Sequence, residues 1–145
     1  GAAMMFGGKS TPEKAAPPVE TKVLIREDSH MHGSKNAKVT VVEFGDFQCP
    51  ACGASHPVVK KITTEYKDEV LFVFREYPLS MHEHANLAAQ AAEAAGAQGK
   101  FFEMHDKLFE NQKEWSESKE AKEKILGYAE ELKLDMDKFK SDIEQ

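Results

Sequence analysis

The sequence predicts an α/β domain whose second half is entirely helical. Two β-branched, apolar runs at residues 39–44 and 70–75 read as strands. The stretch between them opens with Pro50 and carries Val59, Ile62 and Tyr66 as an apolar stripe at helical spacing. After Pro78 no alternating run follows, and apolar residues recur only at helical intervals.

Taken in order, residues 1–18 are rich in proline, alanine and charge and read as a disordered linker or tether. Residues 19–26 are expected to form a short edge strand, and 27–38 a polar loop. The strand at 39–44 leads into a helix over about 50–67. The strand at 70–75 then closes a right-handed strand–helix–strand crossover. Ser80-Met81-His82-Glu83 has the form of a capping box, opening an alanine-rich helix that ends at Gly96. Further helices are expected over 99–111, with Phe102, His105 and Phe109 on one side, over 118–132, and from 136 onward.

The chain of 145 residues is long enough for one domain with a real core. Its 19 basic and 25 acidic residues leave a formal charge of −6, which argues against nucleic acid or an anionic membrane as the main partner. No run approaches the roughly 20 apolar residues that span a bilayer.

The chemistry is concentrated in Cys49-Pro50-Ala51-Cys52, which holds both cysteines of the chain. Two thiols one helical turn apart, at a strand–helix junction, suit thiol–disulfide exchange. One sulfur attacks a substrate disulfide and the other reaches back to resolve the mixed disulfide. Pro50 suits the first helical position, where its missing N–H costs nothing. Cys49 then falls at the helix cap, under unpaired N–H groups and the positive end of the helix dipole. Cysteines so placed have pKa values of roughly 3.5–7.5, so Cys49 is assigned as nucleophile and Cys52 as the resolving thiol. A structural disulfide is the poorer reading, because closing so short a loop removes little unfolded-state entropy. A zinc site would need two further ligands. Glu43 interrupts an apolar strand, and is either solvated on an open sheet face or buried near the cysteines. If buried, its raised pKa suits it to exchange a proton with Cys52.

Several motifs occur in an order that resembles the DsbA-like branch of the thioredoxin superfamily. They are His32-Gly33-Ser34-Lys35-Asn36-Ala37-Lys38, the run from Val42 through Cys52, Phe72-Val73-Phe74-Arg75-Glu76-Tyr77-Pro78-Leu79, His84-Ala85, and the run from Gln98 to Phe109. The resemblance implies a thioredoxin-like fold with a helical insertion. Residues 19–79 would be its N-terminal half, and 80–145 the insertion. It implies exchange with extracytoplasmic protein thiols and disulfides, and a membrane redox partner that resets the pair. No cofactor is implied beyond the redox-active disulfide of Cys49 and Cys52. It also makes Glu43 a buried proton relay, and Pro57 the proline that bends the first helix. The extracytoplasmic placement, with a membrane tether in a longer chain, rests on this resemblance.

Two departures matter. Pro50-Ala51 puts no histidine between the cysteines, so a strongly oxidising character is not implied. No proline follows Pro78 and no strand-like run follows Tyr77, so the cis-proline loop, the last two strands and the final helix are expected to be absent. The sheet edge left open would then pair with another copy or force a rearranged core, and activity would be weak. A metal-binding or metallochaperone reading, using the cysteines and nearby histidines, is the alternative, as is an inactive fragment. His82 and His84 are expected to be solvated in a first helical turn, the methionines are scattered, and His56, one turn past Cys52, would tune the pair only weakly.

Overall fold

The two apolar runs pair in parallel, as β2 (Val39–Gly45) and β3 (Val70–Glu76), with Val39 opposite Val70 and Gly45 opposite Glu76. The connection between them is α2 (Pro50–Glu65). In the computed structural model, which describes residues 19–144, a third strand, β1 (His30–Gly33), completes a sheet of order β1-β3-β2. Leu71, Phe72, Val73 and Phe74 of the central strand are buried, as a strand covered on both faces requires. The linker expected at residues 1–18 lies outside the described residues.

The edge strand is not at 19–26. That segment makes a single helical turn, α1 (Thr21–Leu24), with Val19 and Val23 more than half exposed. It has no sheet partner among the described residues, and its last carbonyls are held by Arg75, whose Nη1 donates to Val23 O and Leu24 O at 3.1 and 3.0 Å. The edge is instead β1 (His30–Gly33), inside the expected polar loop and antiparallel to β3. Polar-looking side chains anchor it. The His30 ring lies flat on Phe101 with centroids 3.6 Å apart, and its Nε2 sits 3.0 Å from both Glu93 oxygens. Gly33 ends the strand at φ +102, where a Cβ would come within 2.3 Å of Val70 O.

The stripe assigned to α2 also shifts. Val59 packs against the core, but Ile62 and Tyr66 are 39% and 48% exposed, and the buried position of the helix is His56. The inward face runs through Cys52, His56, Val59 and Thr63, turned by one residue at its far end toward polar positions. The helix continues through Pro57, which leaves the Gly53 carbonyl without its usual donor.

The helical half contains α3 (Ala85–Gly96), α4 (Phe101–Glu110), α5 (Gln112–Trp115), α6 (Ala121–Glu131) and α7 (Met136–Asp142). α3 buries seven alanines, whose small side chains allow close approach to α4 and α7. Trp115 is fully buried and donates its indole N–H to Leu108 O at 2.8 Å. The capping box at Ser80–Glu83 does not form. α3 starts only at Ala85, with His84 as an N-cap that makes no side-chain bond. Asp46 holds residues 79 and 82 in turns instead, as described below.

Glu76 ends β3 with Oε1 buried and without a hydrogen-bond partner. Burial, and then the neighbouring Glu93 charge, push its carboxyl up to about 8 from the ordinary 4.5. Between those values the folded chain holds a proton that the unfolded chain has released. The unfolding free energy should therefore fall as pH rises from about 4.5 to about 8 and level off beyond. Thermal melts across that range should show the decline in the wild type and a flatter profile in Glu76→Gln. An unchanged profile would contradict this assignment.

Candidate redox site

Cys49 is the N-cap of α2, with extended φ −67 and ψ 121, and Pro50 takes the first helical position. The Cys49 side chain makes no capping bond, which leaves its sulfur at the open end of the helix. Both thiols are half-buried and unbridged. The backbone around them is tightly held. Cys49 N–H donates to Asp46 O at 3.0 Å, and Gly53 N–H donates to Cys49 O at 3.0 Å. From α5, the Gln112 amide donates to Phe47 O at 2.7 Å and to Cys49 O at 2.9 Å. A Cβ on Gly53 would lie 2.3 Å from Gln112 Oε1, so a glycine here makes room for that clamp.

Cys52 lies one turn into the helix, against the core. Burial pushes its thiol up, a backbone hydrogen bond from Asp46 pulls the other way, and Cys49 and the Glu43 carboxylate add to the rise. Glu43 is half-buried rather than fully enclosed. Burial raises its carboxyl above the ordinary 4.5, and His105 opposes that rise. The carboxylate thus stands within electrostatic reach of both Cys52 and His105. Pro50 and Ala51 are exposed between the thiols.

Three further residues frame the site, and the sequence reading did not single them out. Asp46 is 3% exposed. Its Oδ1 accepts from Gln48 N at 2.8 Å, while Oδ2 accepts from Leu79 N at 2.9 Å and lies 2.6 Å from His82 Nδ1. Gln48, also buried, donates to Ser116 O and accepts from His84 N, both at 2.6 Å. Gln112 is the third. His82 is therefore partly covered and bound to a carboxylate, not solvated in a helix. The sequence did hold one signal: Asp46-Phe47-Gln48 is an Asx-turn spacing, with an aspartate accepting from the N–H two residues on.

Among the described residues, the cluster with metal-ligand donors is His56, His105 and Asp106, and it includes neither cysteine. His56 is 5% exposed, and burial, then His105, lowers its pKa.

A strand delivering one thiol to a helix cap, a second thiol half-buried one turn on, a nearby carboxyl and a helical insertion after β3 define a dithiol protein of the thioredoxin class. The chain belongs to the thioredoxin family, whose model matches residues 26–145. Among solved structures, it is similar to a thioredoxin-like oxidoreductase from Silicibacter pomeroyi. The two are 30% identical with a TM-score of 0.72, covering 88% of this chain and 70% of that one. It shares the DsbA-like fold of the thiol-disulfide exchange protein alpha-DsbA2 from Wolbachia pipientis, at 22% identity and a TM-score of 0.73, over 85% of this chain and 63% of that one. In sequence it is 46% identical over 112 residues to the Na(+)/H(+) antiporter NhaA 1 of Salinispora arenicola. That match covers 77% of this chain but only 16% of the antiporter's length. Among the described residues, no helix is long and apolar enough to cross a membrane.

Proposed function

We propose that the chain exchanges disulfides with extracytoplasmic protein substrates through Cys49 and Cys52, with Glu43 carrying the proton. The observation that carries this reading is the asymmetry of the two thiols. Cys49 stands at the open cap of α2, while burial raises the Cys52 thiol beside a raised carboxyl.

In the reducing direction, the Cys49 thiolate attacks one sulfur of a substrate disulfide, forming a mixed disulfide and expelling a substrate thiolate. Cys52 passes its proton to ionised Glu43 and attacks the Cys49 sulfur. The second substrate thiolate leaves, and Cys49–Cys52 closes as a disulfide. The oxidising direction is the same sequence reversed, with protonated Glu43 returning the proton to Cys52. A membrane redox partner would reset the pair. The antiporter relative, which carries a stretch similar to this one, supports a position beside a membrane, while placement outside the cytoplasm rests on the family resemblance. Val39, Val41 and Phe44 on β2 are 51%, 39% and 49% exposed, and this strand's outer edge is unpaired among the described residues. That edge suits pairing with a second copy.

Glu43→Gln tests the relay. Resolution of a glutathione mixed disulfide, followed by stopped flow, should slow by about tenfold or more, as loss of a positioned proton acceptor predicts. Its pH profile should also lose the inflection that belongs to the carboxyl. Wild-type rates at every pH would remove Glu43 from the mechanism.

A further inference from the structure

We propose that His56, His105 and Asp106 form a binding site for a divalent transition-metal ion of the zinc class, joining α2 to α4. The site is separate from the thiols, and the proposal does not depend on the redox reading.

Their donor atoms all lie within 4.8 Å of one another. His56 Nε2 is 3.7 Å from Asp106 Oδ1, and His105 Nδ1 is 3.1 Å from the same oxygen. The two histidines are 5% and 3% exposed, and each has a buried Nε2 without a hydrogen-bond partner. An unpaired buried polar atom costs about 1–3 kcal/mol, so His56 Nε2, which faces Asp106, calls for a partner, and His105 would join it through Nδ1, the nitrogen beside the same carboxylate. The three residues line a cavity of about 180 Å³. Two imidazoles and one carboxylate, with a fourth position left for water or an incoming group, form the open donor set of zinc sites. Imidazole nitrogen suits zinc, copper and nickel over calcium or magnesium.

Four ligands of a tetrahedral zinc ion sit roughly 3.4 Å apart, given metal–ligand lengths near 2.1 Å. The His56–Asp106 and His105–Asp106 pairs already stand close to that spacing, so binding needs the two rings to close on each other. Lys60 is the obvious competitor, with its ammonium 3.0 Å from Asp106 Oδ2. It also bonds to Glu110, so a metal at Asp106 would leave the lysine with a carboxylate partner.

The test uses the oxidised chain, in which the closed Cys49–Cys52 disulfide removes the thiolates as ligands. After chelator treatment, calorimetric titration with zinc should show one ion bound per chain and a raised melting temperature. Cobalt should give visible d–d bands without the thiolate charge-transfer band of a cysteine site. His56→Gln and Asp106→Asn should each weaken zinc affinity about tenfold or more, the order of loss seen when metal-site support is removed. His84→Gln should leave the affinity unchanged. Asp106 is one-third exposed, so its replacement should preserve the fold even if His56→Gln does not. No saturable binding to the oxidised chain, or equal binding by the Asp106→Asn variant, would overturn the proposal.

Discussion

Cys49→Ser is expected to abolish disulfide exchange, whereas Cys52→Ser should leave attack intact and halt the reaction at the mixed disulfide. The two outcomes follow from the different places of the two sulfurs. Cys49 occupies the cap of α2, where its side chain makes no capping bond and where a helix leaves its first backbone N–H groups unpaired. A serine hydroxyl there is no nucleophile at neutral pH, so insulin reduction should fall on the order of a thousandfold or more. Cys52 is held against the core with a raised thiol pKa, so it should alkylate slowly and act mainly on the sulfur one turn away. Rapid alkylation of Cys52 ahead of Cys49 in the reduced chain would reverse the assignment.

Asp46→Ala is expected to cause a large loss of stability. This carboxylate is 3% exposed and receives the N–H groups of Gln48 and Leu79 as well as the His82 ring. Alanine removes both acceptor oxygens at once and leaves their three donors unpaired, at a cost on the order of 3 kcal/mol. For a domain of this size that lowers the melting temperature by roughly 10 °C. The effect should also reach the chemistry. Asp46 is the hinge between β2 and the cap of α2, and its backbone supports the Cys52 thiolate. Differential scanning calorimetry would check the first effect, and alkylation kinetics of Cys52 the second. A loss below about 1 kcal/mol, the size of a single ordinary hydrogen bond, would show that the loop is held by other contacts.

The strand–helix–strand unit was legible because each of its signals is local. β-branched runs marked β2 and β3, and Pro50 marked the start of α2. The helical character after Pro78 was equally plain, as seven buried alanines in α3 need only small size and helical spacing. β1 was not legible, because its residues are fixed by partners far along the chain. His30 is held by Glu93 and Phe101, and no alternation of apolar residues announces it. The false capping box at 80–83 has the same origin. Local spacing favoured a helix start, but Asp46, more than thirty residues earlier, claims Leu79 and His82. Within the site, the cysteines and Glu43 could be named from spacing and strand position. The buried net of Asp46, Gln48 and Gln112 joins segments up to 68 residues apart, and only the Asx spacing at 46–48 hints at it. The pairing of His56 with His105 and Asp106 was hidden for another reason. A histidine on an inward helical face looks like any polar residue until its depth is known.

The measurement that tests the central claim most directly is the intact mass of Cys52→Ser after reaction with a disulfide-bonded peptide, followed by proteolytic mapping of the adduct. The account predicts one peptide per chain, linked through Cys49 and released by dithiothreitol, and no lasting adduct when the chain with both cysteines reacts. A Cys52→Ser chain that forms no adduct, although Cys49 is shown to be free and reduced, would contradict it.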